Sequence, residues 1–240
     1  MTSLRWFVAL VAPLGMVFPL ALAAQDLGQG GLKENLDLPF DARGEHSDEE
    51  EDPPEVVIFY GQNYEGDGFF YIIDRSTTMQ DRGELRRAKQ EVARNVSEFS
   101  PATQFAIVFF DAGITKFPTS GRPAEAKPGM KVAALSWIAN MPGGRGSCMM
   151  QGVRVGLQFA NLSNVKRKVL VYVGDGGGTC SASQQGEQAY LRNMVNTITS
   201  QNYQRVQINC VGVLMGGRGM QEGFLKQLAS ANRGTYRQIN

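Results

Sequence analysis

A chain of 240 residues with a formal charge of +1 is long enough for one domain of ordinary size, and its overall balance favours neither a polyanionic nor a polycationic partner. Its single histidine, His46, stands in an acidic stretch near the N-terminus, which excludes Ser-His-Asp or Cys-His catalysis from any folded part that follows. The balance also hides a split: residues 1–55 carry three basic and eleven acidic side chains, net −8, and residues 56–240 carry twenty-one and twelve, net +9.

Residues 6–24 hold no charge, follow Arg5 and end in Ala21-Leu22-Ala23, the small-residue pattern of a signal-peptidase site. Residues 1–24 are therefore expected to be a signal peptide that exports the chain to the periplasm or beyond the cell. Left uncleaved, the run is just long enough for membrane anchoring. Residues 25–55 have few large apolar side chains and contain His46-Ser-Asp-Glu-Glu-Glu-Asp-Pro-Pro, so they cannot bury enough surface to offset ordering and are expected to form an acidic disordered linker. A basic exported domain over residues 56–240 would meet acidic protein, envelope polymer or its own acidic tail rather than nucleic acid.

Within that domain, residues 56–60 read as a short strand and 61–68 as a polar turn. Residues 69–73, Phe-Phe-Tyr-Ile-Ile, form an unbroken apolar run of the kind a strand buried on both faces requires. Residues 84–99 place Leu85, Ala88, Val92, Val96 and Phe99 at helical spacing with charges between them. Residues 104–110 are a second buried strand, and 114–117, after Asp111-Ala-Gly, its hairpin partner. Residues 129–141 are helical, with Val132, Leu135, Trp137 and Ile138 available for a core face. A glycine-rich turn at 142–147 leads into a helix over 149–161 and a strand over 168–173. A helix over 184–200, a strand over 206–214, a turn at 216–219, a helix over 221–231 and a strand over 235–239 complete the chain. This alternation predicts an α/β fold with a mostly parallel sheet, helices on both faces and one antiparallel hairpin.

Three cysteines in an oxidising compartment leave one over if two pair. Cys210 falls inside a core strand, whereas Cys148 and Cys180 both lie in strand-end loops, so the bridge is expected between those two. A loop of that length would contribute about 3 to 4 kcal/mol by the chain-entropy account.

Chemistry gathers at three such loops. Asp74 ends the 69–73 run and is followed by hydroxyls at alternate positions, Ser76 and Thr78; Ser147 follows Gly-Gly-Arg-Gly; Asp175 follows an apolar strand and precedes three glycines. Open α/β sheets bind ligands at the carboxyl ends of their strands, and hard oxygen donors suit a hard divalent cation better than zinc or copper. The alternative for Asp74 is an ordinary helix cap with a Ser/Thr-rich first turn. Gly174-x-Gly176-x-Gly178 superficially fits a dinucleotide loop, but the Asp inside it would repel a pyrophosphate. A phosphoryl-accepting role for Asp74 is disfavoured by the serine two positions on.

Taken together and in this order, the loops resemble the von Willebrand factor A (VWA) domain and its metal-ion-dependent adhesion site. The family's D-x-S-x-S motif, usually followed by Met, is matched by Asp74-Arg75-Ser76-Thr77-Thr78-Met79; its loop threonine by Ser147; and its strand ending in Asp-Gly by Asp175-Gly176. The chain is most similar to the single-domain versions exported by bacteria. The resemblance implies a doubly wound sheet of order 3-2-1-4-5-6 with strand 3 antiparallel at the edge, which would push residues 56–60 to an edge or an end. It implies Mg²⁺, or Mn²⁺, held by Asp74, Ser76, Thr78, Ser147 and Asp175, a protein ligand that completes the coordination with an acidic side chain, and a binding module rather than an enzyme. Arg75 and Arg145 depart from the family's small loop residues. Facing outward they would form a rim for the incoming carboxylate or simply be solvated at the surface; facing inward they would replace the ion and leave a metal-independent scaffold. A Mg²⁺-dependent hydrolase using Asp74 or Asp175 is the remaining alternative.

Overall fold

The computed structural model describes residues 53–177, 180, 187–213 and 219–239. The expected signal peptide, the expected linker up to residue 52 and most of the turn at 216–219 lie outside the described residues. Among the described residues no helix is long and apolar enough to cross a membrane.

The described chain runs β1 (Glu55–Phe59), β2 (Gln62–Gly66), β3 (Gly68–Asp74), α1 (Thr77–Asp81), α2 (Glu84–Glu98), β4 (Gln104–Phe110), β5 (Ile114–Phe117), β6 (Ala124–Glu125), α3 (Pro128–Ala139), α4 (Met149–Leu162), β7 (Lys168–Gly174), α5 (Glu187–Gln201), β8 (Gln207–Val213), α6 (Gly219–Ala231) and β9 (Tyr236–Ile239). The main sheet has the order β5-β4-β3-β7-β8-β9, with the two-residue β6 added to β4. Strands β4, β3, β7, β8 and β9 are mutually parallel and β5 is antiparallel at the edge, so the 3-2-1-4-5-6 order is observed.

Every residue of β3 is buried, which its unbroken apolar run anticipates. Phe69, Tyr71 and Ile73 point into one core with α2, α3 and the β1–β2 hairpin; Phe70 and Ile72 point into the other, beneath α4, α5 and α6. Helix α2 buries Leu85, Ala88, Val92 and Val96, one stripe at helical spacing. In α3 the core face is Ala134 and Ile138, with Leu135 and Trp137 partly buried. Val132, expected in the core, is 68% exposed, because α3 rests on the sheet margin and presents only a narrow face to it.

One reading is corrected. Residues 61–68 are not merely a turn: β2 pairs antiparallel with β1, Phe59 opposite Gln62, around Tyr60 and Gly61. Both turn residues have positive φ, 47° and 71°, the conformation that matches the twist of a two-residue hairpin. Residues 56–60 therefore lie outside the main sheet altogether. The hairpin lays Val57, Phe59 and Tyr64 over the sheet face that two helices alone would leave open. It is tied to α2 by the Tyr60 N–H donating to Glu91 Oε2 at 3.1 Å and Arg94 Nη2 donating to the Ile58 carbonyl at 2.7 Å.

Helix α4 approaches the sheet through Gly152 and Gly156. A Cβ on Gly152 would fall 2.8 Å from the Phe110 ring, and one on Gly156 would collide with Ile72. These two glycines, one helical turn apart, let α4 lie close to β3 and β4, which brings its N-terminus up to the end of β3.

Candidate metal centre

The carboxyl ends of three adjacent strands each present an acid: β3 ends at Asp74, Asp111 follows β4, and Asp175 follows β7. The loop between α3 and α4 is pinned across them. Gly144 N–H donates to the Arg75 carbonyl at 2.7 Å, Ala112 N–H to the Arg145 carbonyl at 2.9 Å, and Cys148 N–H to the Asp111 carbonyl at 2.7 Å. Ser147 is thereby held over Asp74.

Asp74, Ser76, Thr78, Ser147 and Asp175, spread over about a hundred positions, meet in one hydrogen-bonded cluster. The Ser76 N–H donates to Asp74 Oδ1 at 2.7 Å and the Ser147 hydroxyl to Asp74 Oδ2 at 3.1 Å. The Ser76 and Thr78 hydroxyls lie 3.0 Å apart, and Thr78 Oγ1 donates to Asp175 Oδ2 at 2.8 Å. Asp175 Oδ1 accepts the Gly177 N–H at 2.8 Å. Asp74, Ser76 and Ser147 are buried, whereas Thr78 and Asp175 are half-buried, so the cluster opens to solvent on their side.

The electrostatics are those of a site short of positive charge. Burial, and next the charge of Asp175, push the Asp74 carboxyl up to about 7 against the hydrogen bonds from Ser76 and Ser147. Asp74 does accept the Ser76 N–H ahead of α1, as a turn carboxylate does, but it is not the helix cap. Ser76 is the N-cap residue of α1, yet its side chain makes no capping bond, so its hydroxyl is not spent on the helix. Among the described residues no three His, Cys, Asp or Glu side chains are grouped so as to hold a metal by themselves, and a hydroxyl-rich pair of carboxylates is the donor set of a hard ion. The residues present thus fit Mg²⁺ or Mn²⁺.

Neither arginine stands in the cluster. Arg75 Nη2 bonds Asp111 Oδ1 at 3.1 Å and Nη1 reaches Met141 Sδ at 3.3 Å, which turns Arg75 toward β4 instead of the site rim. Arg145 is exposed. Burial would raise the Asp111 carboxyl, but the Gly113 N–H and Arg75 outweigh it and hold Asp111 below the usual carboxylate range. Cys148 and Cys180 form a disulfide, which ties the residue after Ser147 to the loop that carries Asp175. Cys210 is free and buried.

Asp111 was legible by the same signal as Asp74 and Asp175, an acid after an apolar strand, but its neighbours Ala112 and Gly113 read only as a turn. Tyr172, fully buried in β7 near Asp74 and Asp175, gives no sequence signal of its own.

No protein-family model matches the sequence, and no curated protein does. Solved structures do. A von Willebrand factor type A protein from Catenulispora acidiphila is similar over 78% of this chain and 46% of its own, with 17% identity and a TM-score of 0.60. The vWF domain of the type V pili tip protein Mfa5 from Porphyromonas gingivalis is similar over 77% and 90%, with 11% identity and a TM-score of 0.55. Proximal thread matrix protein 1 from the mussel byssus, in a structure with a zinc-occupied MIDAS motif, is similar over 71% and 41%, with 18% identity and a TM-score of 0.50. The chain thus spans less than half the length of the first and third of these proteins.

Proposed function

On this von Willebrand factor A fold, we propose an exported binding module that engages a protein partner through an acidic side chain directed at a bound divalent cation. Ser76, Thr78 and Ser147 would hold the ion through their hydroxyls, while Asp74 and Asp175 balance its charge. When bound, the ion supplies a Lewis-acidic position for the partner's carboxylate. The open side at Thr78 and Asp175 leaves room for that approach. Export rests on the signal-like segment at residues 1–24.

The observation that carries this reading is the convergence of the five oxygen-bearing side chains, with Thr78 bonded to Asp175 and Ser147 to Asp74. The mussel protein named above has such a motif occupied by zinc. Here the all-oxygen donor set favours Mg²⁺ or Mn²⁺. The scaffold alternative needs an arginine in the ion's place, and Arg75 is committed to Asp111 instead.

A divalent ion that binds the folded state alone must raise its melting temperature. Mg²⁺ and Mn²⁺ should therefore stabilise the wild type but not Asp74→Ala, and an acidic partner captured from envelope extract should be released by chelator. Equal melting of the two proteins with and without ions would defeat the proposal.

A further inference from the structure

One buried polar group beside the cluster has no role in the ion-site reading, on which the following inference rests. Tyr172 stands in β7, fully buried, its ring stacked 5.9 Å from that of Phe110. Two residues of parallel strand span about 6.6 Å, roughly the reach of a tyrosine from Cα to hydroxyl, so a ring laid along its strand places its oxygen over the residue two positions on. That residue is Gly174. A Cβ there would meet the Tyr172 hydroxyl and would fall 2.8 Å from Asp74 Cβ. Strands β3 and β7 run in parallel with Ile73 opposite Val173, so the next pair in this register sets Asp74 opposite Gly174. The tyrosine hydroxyl thus fills the gap that the missing side chain leaves beside Asp74.

In that gap the hydroxyl has no hydrogen-bond partner among the described residues. The carboxylates of Asp74 and Asp175 are the charges that act on it most strongly, opposed only weakly by the nearby Gly176 N–H. A buried hydroxyl with its bond unmade costs stability, which an apolar ring would avoid. A carboxylate offers about four acceptor positions, and Asp74 uses two of them, for Ser76 and Ser147.

We infer that Tyr172 is a positioning residue of the ion site: its hydroxyl donates a hydrogen bond to the Asp74 carboxylate when the site carries a divalent cation. The bond would hold the carboxylate from the buried side of the sheet end. The unpartnered hydroxyl and the glycine that makes room for it are then two halves of one arrangement.

Tyr236 supplies an internal control. It stands two strands away, opposite Cys210, and its hydroxyl is also buried with no partner among the described residues, beside Gly212. The test is calorimetric titration of the full chain with Mn²⁺, together with chemical unfolding in chelator. Tyr172→Phe should weaken Mn²⁺ binding about tenfold, as expected for a lost bond to a charged group, while leaving ion-free stability unchanged or higher. Tyr236→Phe should bind Mn²⁺ as the wild type does. Unchanged affinity in Tyr172→Phe, or equal weakening in both variants, would overturn the inference and leave the ion site standing. A wild type that takes up no Mn²⁺ would overturn the ion site and this inference with it.

Discussion

Without an ion, the site should work against the fold, and Asp74→Asn should expose this. A carboxyl held near 7 against an ordinary 3.8 corresponds to about 4 kcal/mol, at about 1.4 kcal/mol per tenfold in proton affinity. The folded state raises this pKa, so the associated stability is fully present below 3.8 and is lost as pH rises through 7. Asparagine escapes that loss but offers an amide where Ser147 now donates to Oδ2, at a cost of about 1 kcal/mol. In chelator at pH 8, Asp74→Asn should therefore be more stable than the wild type by about 3 kcal/mol, or several degrees in melting temperature. By pH 4 the advantage should vanish and reverse slightly. Urea unfolding across this pH range, in chelator, reads both numbers. An Asp74→Asn protein less stable than the wild type at pH 8, or a gain that persists at pH 4, would refute the claim that a buried, uncompensated carboxylate burdens the ion-free fold.

Two further outcomes follow from the loops. Reducing Cys148–Cys180, which closes a loop of sequence separation 32, should lower stability by about 3 to 4 kcal/mol on the chain-entropy account and weaken Mn²⁺ binding, since it frees the Asp175 loop from the Ser147 turn; unfolding and titration with and without reductant check both. Arg75→Ala should cost about 1 to 3 kcal/mol in urea unfolding, because it leaves the largely buried Asp111 without its cation, and an unchanged midpoint would show that the pair contributes nothing.

Much of the fold is legible because the parallel strands are buried on both faces. Phe69 to Ile73 and Phe105 to Phe110 are apolar without interruption, and only a central strand of an α/β sheet accommodates that. The β1–β2 hairpin is not legible in the same way. Gln62–Gly66 alternates a single aromatic, Tyr64, with polar residues, and its turn begins with Tyr60, a residue that seldom adopts positive φ. The short α1 and β6 are set by the loops around them, not by any periodicity of their own. At the site, Asp74, Ser76, Thr78, Ser147 and Asp175 stand out because acids and hydroxyls after apolar strands have few other reasons to be there. The ion pair of Arg75 with Asp111 is a tertiary fact: thirty-six residues separate the two, and nothing local chooses Asp111 over solvent. Tyr172 is hidden for the opposite reason, since an aromatic in a core strand is what the core would ask for anyway.

The central claim is that five oxygen-bearing side chains at the sheet's carboxyl edge enclose a hard divalent ion. Anomalous scattering from crystals of the chain grown with Mn²⁺ tests it most directly. The account predicts one peak among Asp74, Ser76, Thr78, Ser147 and Asp175, with Arg75 still on Asp111; a peak elsewhere, or none at this position in Mn²⁺-saturated crystals, would contradict it.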